Sequence, residues 1–198
     1  MEKIICVFSD SVGWGAWDHE QGGWVNRLRL ALDSKDCFVY NLSVDGNTTK
    51  DLLERFDTEA KVRQPDIIIF SIGDNDSVHV KSKNSNLVPL EQFGNNLRQL
   101  ITQARKFTDN IVFLGCGQAD ESKTTPIPWE TDYHYRNDYL KQYDSVIKEV
   151  VLENNCLYLS VFDLLAKEDL EDGLHPNAQG HKKLFEAVKE FLEKNNIC

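Results

Sequence analysis

Five short apolar runs, Ile4–Phe8, Phe38–Leu42, Ile67–Ile72, Ile111–Leu114 and Leu157–Val161, constrain the fold more than any other feature of this chain. Each is rich in Ile, Val, Leu or Phe, too short for a helix, and without the polar alternation of a strand that has one wet face. Runs of this kind are strands buried on both sides. Between them apolar residues recur at helical spacing. Trp24, Leu28, Ala31 and Leu32 make one stripe, and Leu52, Leu53, Phe56 and Ala60 a second, with Thr48 and Thr49 as N-cap candidates. Leu90 to Ala104, Tyr139 to Val151 and Ala178 to Leu192 supply three more. Strands alternating with helices predict a parallel sheet covered on both faces. A length of 198 residues suits one core. The expected architecture is a single doubly wound, flavodoxin-like α/β domain over residues 1–198, built on a five-stranded parallel sheet.

In open α/β sheets ligands bind beyond the carboxyl ends of the strands. Two long irregular stretches leave that edge, Asp74 to Pro89 and Gly115 to Thr131, and loops of this length are commonly functional. Shorter segments there carry reactive groups. Ser9-Asp10-Ser11-Val12-Gly13-Trp14-Gly15 follows the first strand, where Ser9 and Asp10 can bond their own backbone and the glycines permit a tight turn. Gly46 follows the second strand just ahead of a helix start, where backbone N–H groups favour negative charge. Gly73-Asp74-Asn75-Asp76 follows the third. Its asparagine amide suits a preorganised oxyanion donor, whereas Asp74 and Asp76 as cation ligands lack the remaining spacing of a calcium loop.

After the fifth strand comes Asp172-Gly173-Leu174-His175-Pro176-Asn177, with Pro176 at a helix start. A serine hydroxyl needs an adjacent base to become nucleophilic, and a carboxylate sets which nitrogen of that base carries the hydrogen. One short loop holds both an imidazole and a carboxylate. His181 is a competing base, but it falls within the last helix and has no carboxylate at comparable spacing.

Taken in order, these segments resemble the four signature blocks of the SGNH hydrolases, also called the GDSL esterase/lipase family. The Gly-Asp-Ser-Leu block is matched by Ser9-Asp10-Ser11-Val12, the glycine block by Gly46, the Gly-x-Asn-Asp block by Gly73 to Asp76, and the Asp-x-x-His block by Asp172 to His175. Ser9 departs from the glycine of the first block, a position that carries no reactive group. The resemblance implies Ser11 as nucleophile, His175 as base and Asp172 as its orienter. It implies an oxyanion hole of the Ser11 and Gly46 backbone N–H groups and the Asn75 side chain. The activity it implies is hydrolysis of a small ester (short-chain acyl, O-acetyl sugar or thioester) through an acyl-enzyme, with no cofactor and no metal. Alternatives on the same residues are an acyltransferase and a non-catalytic, ligand-binding member of the fold.

Asp10, Trp14, Asp76 and Trp129 are expected to line the substrate. Trp17, Tyr133 and Tyr135 are further aromatics able to stack on a sugar or contact an acyl chain. The carboxylates Asp10, Asp74 and Asp76 are expected to shape loops rather than react. A formal charge of −10 argues against nucleic-acid partners and anionic membrane surfaces. No Gly-rich phosphate loop is present. No run reaches membrane-spanning length, and the opening residues enter a strand too directly for a signal peptide, so the expected location is cytoplasmic. Cys6, Cys37, Cys116, Cys156 and Cys198 form no C-x-x-C pair, and the three of them inside or beside apolar runs read as small buried apolar groups. No feature specifies an oligomeric state.

Overall fold

The computed structural model describes residues 2–33 and 36–197. Cys198 lies outside the described residues. Five parallel strands, β1 (Lys3–Ser9), β2 (Cys37–Asn41), β3 (Ile67–Ser71), β6 (Ile111–Leu114) and β8 (Leu157–Leu159), form one sheet in the order β2-β1-β3-β6-β8. Alternation along each strand divides the core. Ile5 and Val7 of β1 join Ile67 and Ile69 of β3 on one face, under α2 (Gly23–Leu32) and α7 (Ala178–Lys194). Cys6 and Phe8 join Ile68 and Phe70 on the other, under α3 (Thr49–Arg63), α4 (Leu90–Ala104) and α6 (Asn137–Glu153). In β1, β3 and β6 both faces are apolar because both are covered, which is why they read as unbroken hydrophobic runs. The expectation of two buried faces fails at the sheet edges, where β2 buries Cys37 and Val39 but exposes Phe38 and Tyr40, and β8 is half-buried. Chain order reverses on either side of β1, so the crevice beyond the ends of β1 and β3 is the topological switch point.

The expected five-stranded, doubly wound sheet is present, with an addition at its carboxyl edge. The stretch after β3 contributes β4 (His79–Val80) and β5 (Ser85–Asn86), and the stretch after β6 leads through the single turn α5 (Glu121–Thr124) to β7 (Tyr133–His134). These pair antiparallel in the order β5-β4-β7, with His79 opposite His134 and Val80 opposite Tyr133. The two long stretches are therefore tied together instead of independent loops.

Capping also differs from expectation at one residue. Thr48 alone is the N-cap of α3, in a reciprocal box with Asp51, while Thr49 is the first helical residue. The Thr49 N–H and hydroxyl both donate to Asp76, and Asn96 of α4 donates to the Thr49 oxygen at 2.9 Å. A buried polar chain thus fastens α3 and α4 to the segment after β3.

Cys6, Cys37, Cys116 and Cys156 are all buried, as small apolar groups would be. Among the described residues, no helix is long and apolar enough to cross a membrane.

Candidate active site

Ser11 opens the four-residue helix α1 (Ser11–Trp14), immediately after β1. Asp10 caps it, its Oδ1 accepting the Val12 N–H at 3.0 Å. Gly13 is required by close packing: a Cβ there would stand 2.3 Å from Ser9 Cβ and 2.4 Å from Ser43 Oγ, far inside any real contact. That approach holds α1 against the ends of β1 and β2. Ser9, expected to bond its own backbone, instead ends β1 with a buried Oγ that has no hydrogen-bond partner among the described residues.

Ser11 Oγ lies 2.9 Å from His175 Nε2, and His175 Nδ1 lies 2.7 Å from Asp172 Oδ2. The histidine belongs to a loop braced from within. Asp172 Oδ1 accepts the backbone N–H groups of Leu174 (2.9 Å) and His175 (2.8 Å), and the Glu171 N–H donates to the His175 carbonyl at 2.9 Å. Asn177, rather than Pro176, begins α7: its side chain accepts the Gln179 and Gly180 N–H groups, leaving Pro176 one residue ahead of the cap. Trp17 donates its indole N–H to Asp172 Oδ2 at 2.9 Å, so that carboxylate receives hydrogen bonds on both oxygens.

These contacts decide the protonation states. Burial alone would raise the Asp172 pKa, but the His175 ring, its backbone N–H and that of Leu174 hold the carboxyl far below its ordinary range. Burial alone would lower the His175 pKa. The hydrogen bond and charge of Asp172, with added attraction from Asp10 and Asp45, outweigh it and raise the value above that of a free histidine.

His181 has another role. It is fully buried, its Nδ1 accepting the Trp24 N–H at 3.3 Å and its Nε2 donating to the Ala16 carbonyl at 2.9 Å. Burial lowers its pKa, so it is a neutral strut between α7 and the start of α2.

Gly46 and Asn75 meet Ser11 and His175 around one cavity of ≈ 410 Å³. Gly46 has φ +72°, a left-handed conformation suited to glycine, and lies two residues before the Thr48 cap rather than directly at the helix start. The Asn75 Nδ2 donates to the Asn47 carbonyl at 3.0 Å, and its Oδ1 accepts the Tyr135 hydroxyl at 2.7 Å. Tyr135 is thereby corrected from a stacking aromatic to a buried residue, 5 % exposed, that fixes which end of the Asn75 amide faces which way. Nothing in the sequence pairs two residues sixty positions apart; only the β7 strand leading into Tyr135 brings them together.

Trp129, 58 % exposed, lines that cavity and a neighbouring one, and Trp14, 61 % exposed, lines the neighbour alone. Asp10 and Asp76 line neither. They are 3 % and 0 % exposed and lie beneath the site, where they cap and brace rather than line. Burial pushes the Asp76 carboxyl up to about 7 against the lowering effect of Thr49. Burial likewise raises Asp10 and Asp74, each also facing a neighbouring carboxylate. Among the described residues, no group of three or more His, Cys, Asp or Glu is arranged to hold a metal.

An open parallel sheet whose switch-point crevice holds a hydroxyl, an imidazole and a carboxylate in one hydrogen-bonded line defines a flavodoxin-like α/β protein with the side chains that serine-based ester hydrolysis requires. Residues 9–183 match the GDSL-like Lipase/Acylhydrolase family, and the chain belongs to that family, as a hydrolase acting on ester bonds. It is 24 % identical over 174 residues to an acetylxylan esterase of Geobacillus stearothermophilus, covering 82 % of this chain and 75 % of that protein. It is 25 % identical over 217 residues to the isoamyl acetate-hydrolyzing esterase 1 homolog of Mus musculus, covering 96 % and 81 %. Among solved structures, a lipase/acylhydrolase from Enterococcus faecalis matches the fold with a TM-score of 0.80 at 20 % identity, over 98 % of this chain and 96 % of that one.

Proposed function

We propose that this esterase hydrolyses a small ester through a covalent acyl-enzyme on Ser11. The carrying observation is the unbroken line Ser11 Oγ–His175–Asp172, with contacts of 2.9 and 2.7 Å, opening onto a cavity that Gly46 and Asn75 also line. His175 Nε2 takes the Ser11 proton as Oγ bonds to the acyl carbon. The carbonyl oxygen, now anionic, is held by the Ser11 and Gly46 N–H groups and the Asn75 amide. As the carbon–oxygen bond to the alcohol breaks, His175 returns the proton to the leaving oxygen. Water then repeats the sequence and frees the acid. Asp172 stays ionised throughout and keeps the Nδ1 hydrogen on its own side. Every proton and bond is accounted for by chain, ester and water, with no other group needed.

The relatives support this reading through their names, which describe hydrolysis of acetyl and aryl esters. Solved structures of the G. stearothermophilus acetylxylan esterase include variants described as catalytic mutants, in which a serine, an aspartate or a histidine is replaced by alanine. The test is Ser11→Ala assayed with p-nitrophenyl acetate. Activity should fall by about 10³-fold or more, and a variant as active as the parent would remove the nucleophile assignment.

A further inference from the structure

The chain has four tryptophans. Trp24 is in the core, and the other three, Trp14, Trp17 and Trp129, are 61 %, 46 % and 58 % exposed. All three line a second cavity of ≈ 400 Å³ that adjoins the one described above. Asp45, Trp129 and His175 belong to both cavities and form the divide between them. Exposed indoles are costly to leave in water, and three gathered on one concavity mark a surface built to be covered. Two of them are also held in place. Trp17 is pinned by its hydrogen bond to Asp172, and the Trp129 ring lies 6.3 Å from the His175 ring at 26° to it.

This inference rests on the acyl-enzyme reading. Gly46 and Asn75 line the first cavity only, so the carbonyl carbon and its acyl group lie there, against Val78, Leu87 and Ile127. His175 must reach the leaving oxygen, and besides the first cavity it lines the tryptophan-lined one, which Gly46 and Asn75 do not. The alcohol half of the ester therefore occupies the second cavity. Among the described residues, no Lys or Arg lines either cavity, while Asp45, Glu130 and Asp172 do. An anionic leaving group, such as a phosphate-bearing thiol or a glycerophosphate, would face uncompensated carboxylates in a protein of net charge −10.

We propose that the leaving alcohol is an uncharged sugar ring, stacked on Trp14 and Trp129 with its hydroxyls donating to Asp45, so that the substrate is an acylated carbohydrate. Flat indole faces meet the C–H face of a pyranose, and a carboxylate accepts from its hydroxyls; together they suit a ring that is apolar on one side and polar at its edge.

The experiment compares kcat/KM of the purified protein for an acetylated methyl xyloside, ethyl acetate, acetylcholine and acetyl coenzyme A. The xyloside should exceed ethyl acetate by at least about tenfold, one good stacking contact, and acetyl coenzyme A by more. Trp14→Ala and Trp129→Ala should each lower the xyloside value several-fold further than the ethyl acetate value. Trp14 is on the surface, so its loss leaves the fold intact. Equal losses on both esters, or turnover of acetyl coenzyme A matching the xyloside, would overturn the assignment. Preference for acetylcholine would also overturn it, in favour of an aromatic cage for a cation. Hydrolysis that depends on Ser11 but ignores the alcohol sinks this proposal alone, whereas hydrolysis that survives Ser11→Ala sinks the acyl-enzyme reading beneath it.

Discussion

Tyr135→Phe removes one oxygen, hydrogen-bonded to Asn75, and it should slow the reaction. The Tyr135 hydroxyl is the partner of Asn75 Oδ1, at 2.7 Å, in a site where Tyr135 is 5 % and Asn75 8 % exposed. Without it the amide oxygen is left unpaired in a poorly solvated position, at a cost of about 1–3 kcal/mol. The amide can recover part of this by turning over, which would aim oxygen rather than N–H at the developing oxyanion. Its remaining tethers, Nδ2 donating to the Asn47 carbonyl at 3.0 Å and to Asp10 Oδ2 at 3.4 Å, oppose the turn. Complete loss of an oxyanion donor costs about 10²–10³ in rate. A donor misaimed by about 1.4 kcal/mol costs about tenfold, and that is the expected fall in kcat, with KM little changed. Steady-state kinetics on p-nitrophenyl acetate measures it, and a double-mutant cycle with Asn75→Ala tests the route. If Tyr135 acts through Asn75, its replacement should do almost nothing once Asn75 is alanine. An additive loss, or an unchanged kcat in the single variant, would refute the reasoning.

Because Asp172 raises the His175 pKa, the acid limb of kcat/KM should lie above the free-histidine value of about 6.5 rather than centred on it. Asp172→Asn should move that limb down and cut kcat by about 10⁴-fold, as the histidine loses its orienting carboxylate; a pH–rate profile with an unmoved limb would contradict the coupling. Asp18 is a separate matter of stability. Its carboxylate accepts the Glu20, Gln21 and Gly23 N–H groups and pairs with Arg27 at 3.0 Å, both side chains buried. Asp18→Ala should cost about 3–5 kcal/mol in urea unfolding by stranding Arg27. Burial raises the Asp18 pKa, but the N–H groups and Arg27 lower it further, so its net folded value is depressed. Its stabilisation is thus full above the unfolded value of about 3.9 and is lost as pH falls through the folded one. Parent and variant should converge in stability at low pH.

The five strands of the sheet were legible because each is an apolar run, and the structure moves their ends by only one or two residues. β8, for example, stops at Leu159, two short of the expected Val161. The antiparallel strands β4, β5 and β7 were not legible. Two residues are too few to show a period, and what makes them strands is their pairing, local between β4 and β5 but across more than fifty positions between β4 and β7. The same limit explains the misreading of Asp10, Asp76 and Tyr135. All three types are commonly exposed and functional, and each is drawn under the site by a partner distant in sequence, Asn75, Thr49 and Asn75 again.

By itself the sequence determined the layers, the order of the reactive segments and the local pairing of Asp172 with His175, since these follow from periodicity and from contacts a few residues apart. Only the tertiary structure decided that Ser11 meets an imidazole 164 positions away and that Tyr135 holds Asn75. It also decided that three tryptophans share one cavity. Such contacts are set by how the strand ends and the small sheet pack together, a property of the closed three-dimensional arrangement that no short window of residues contains.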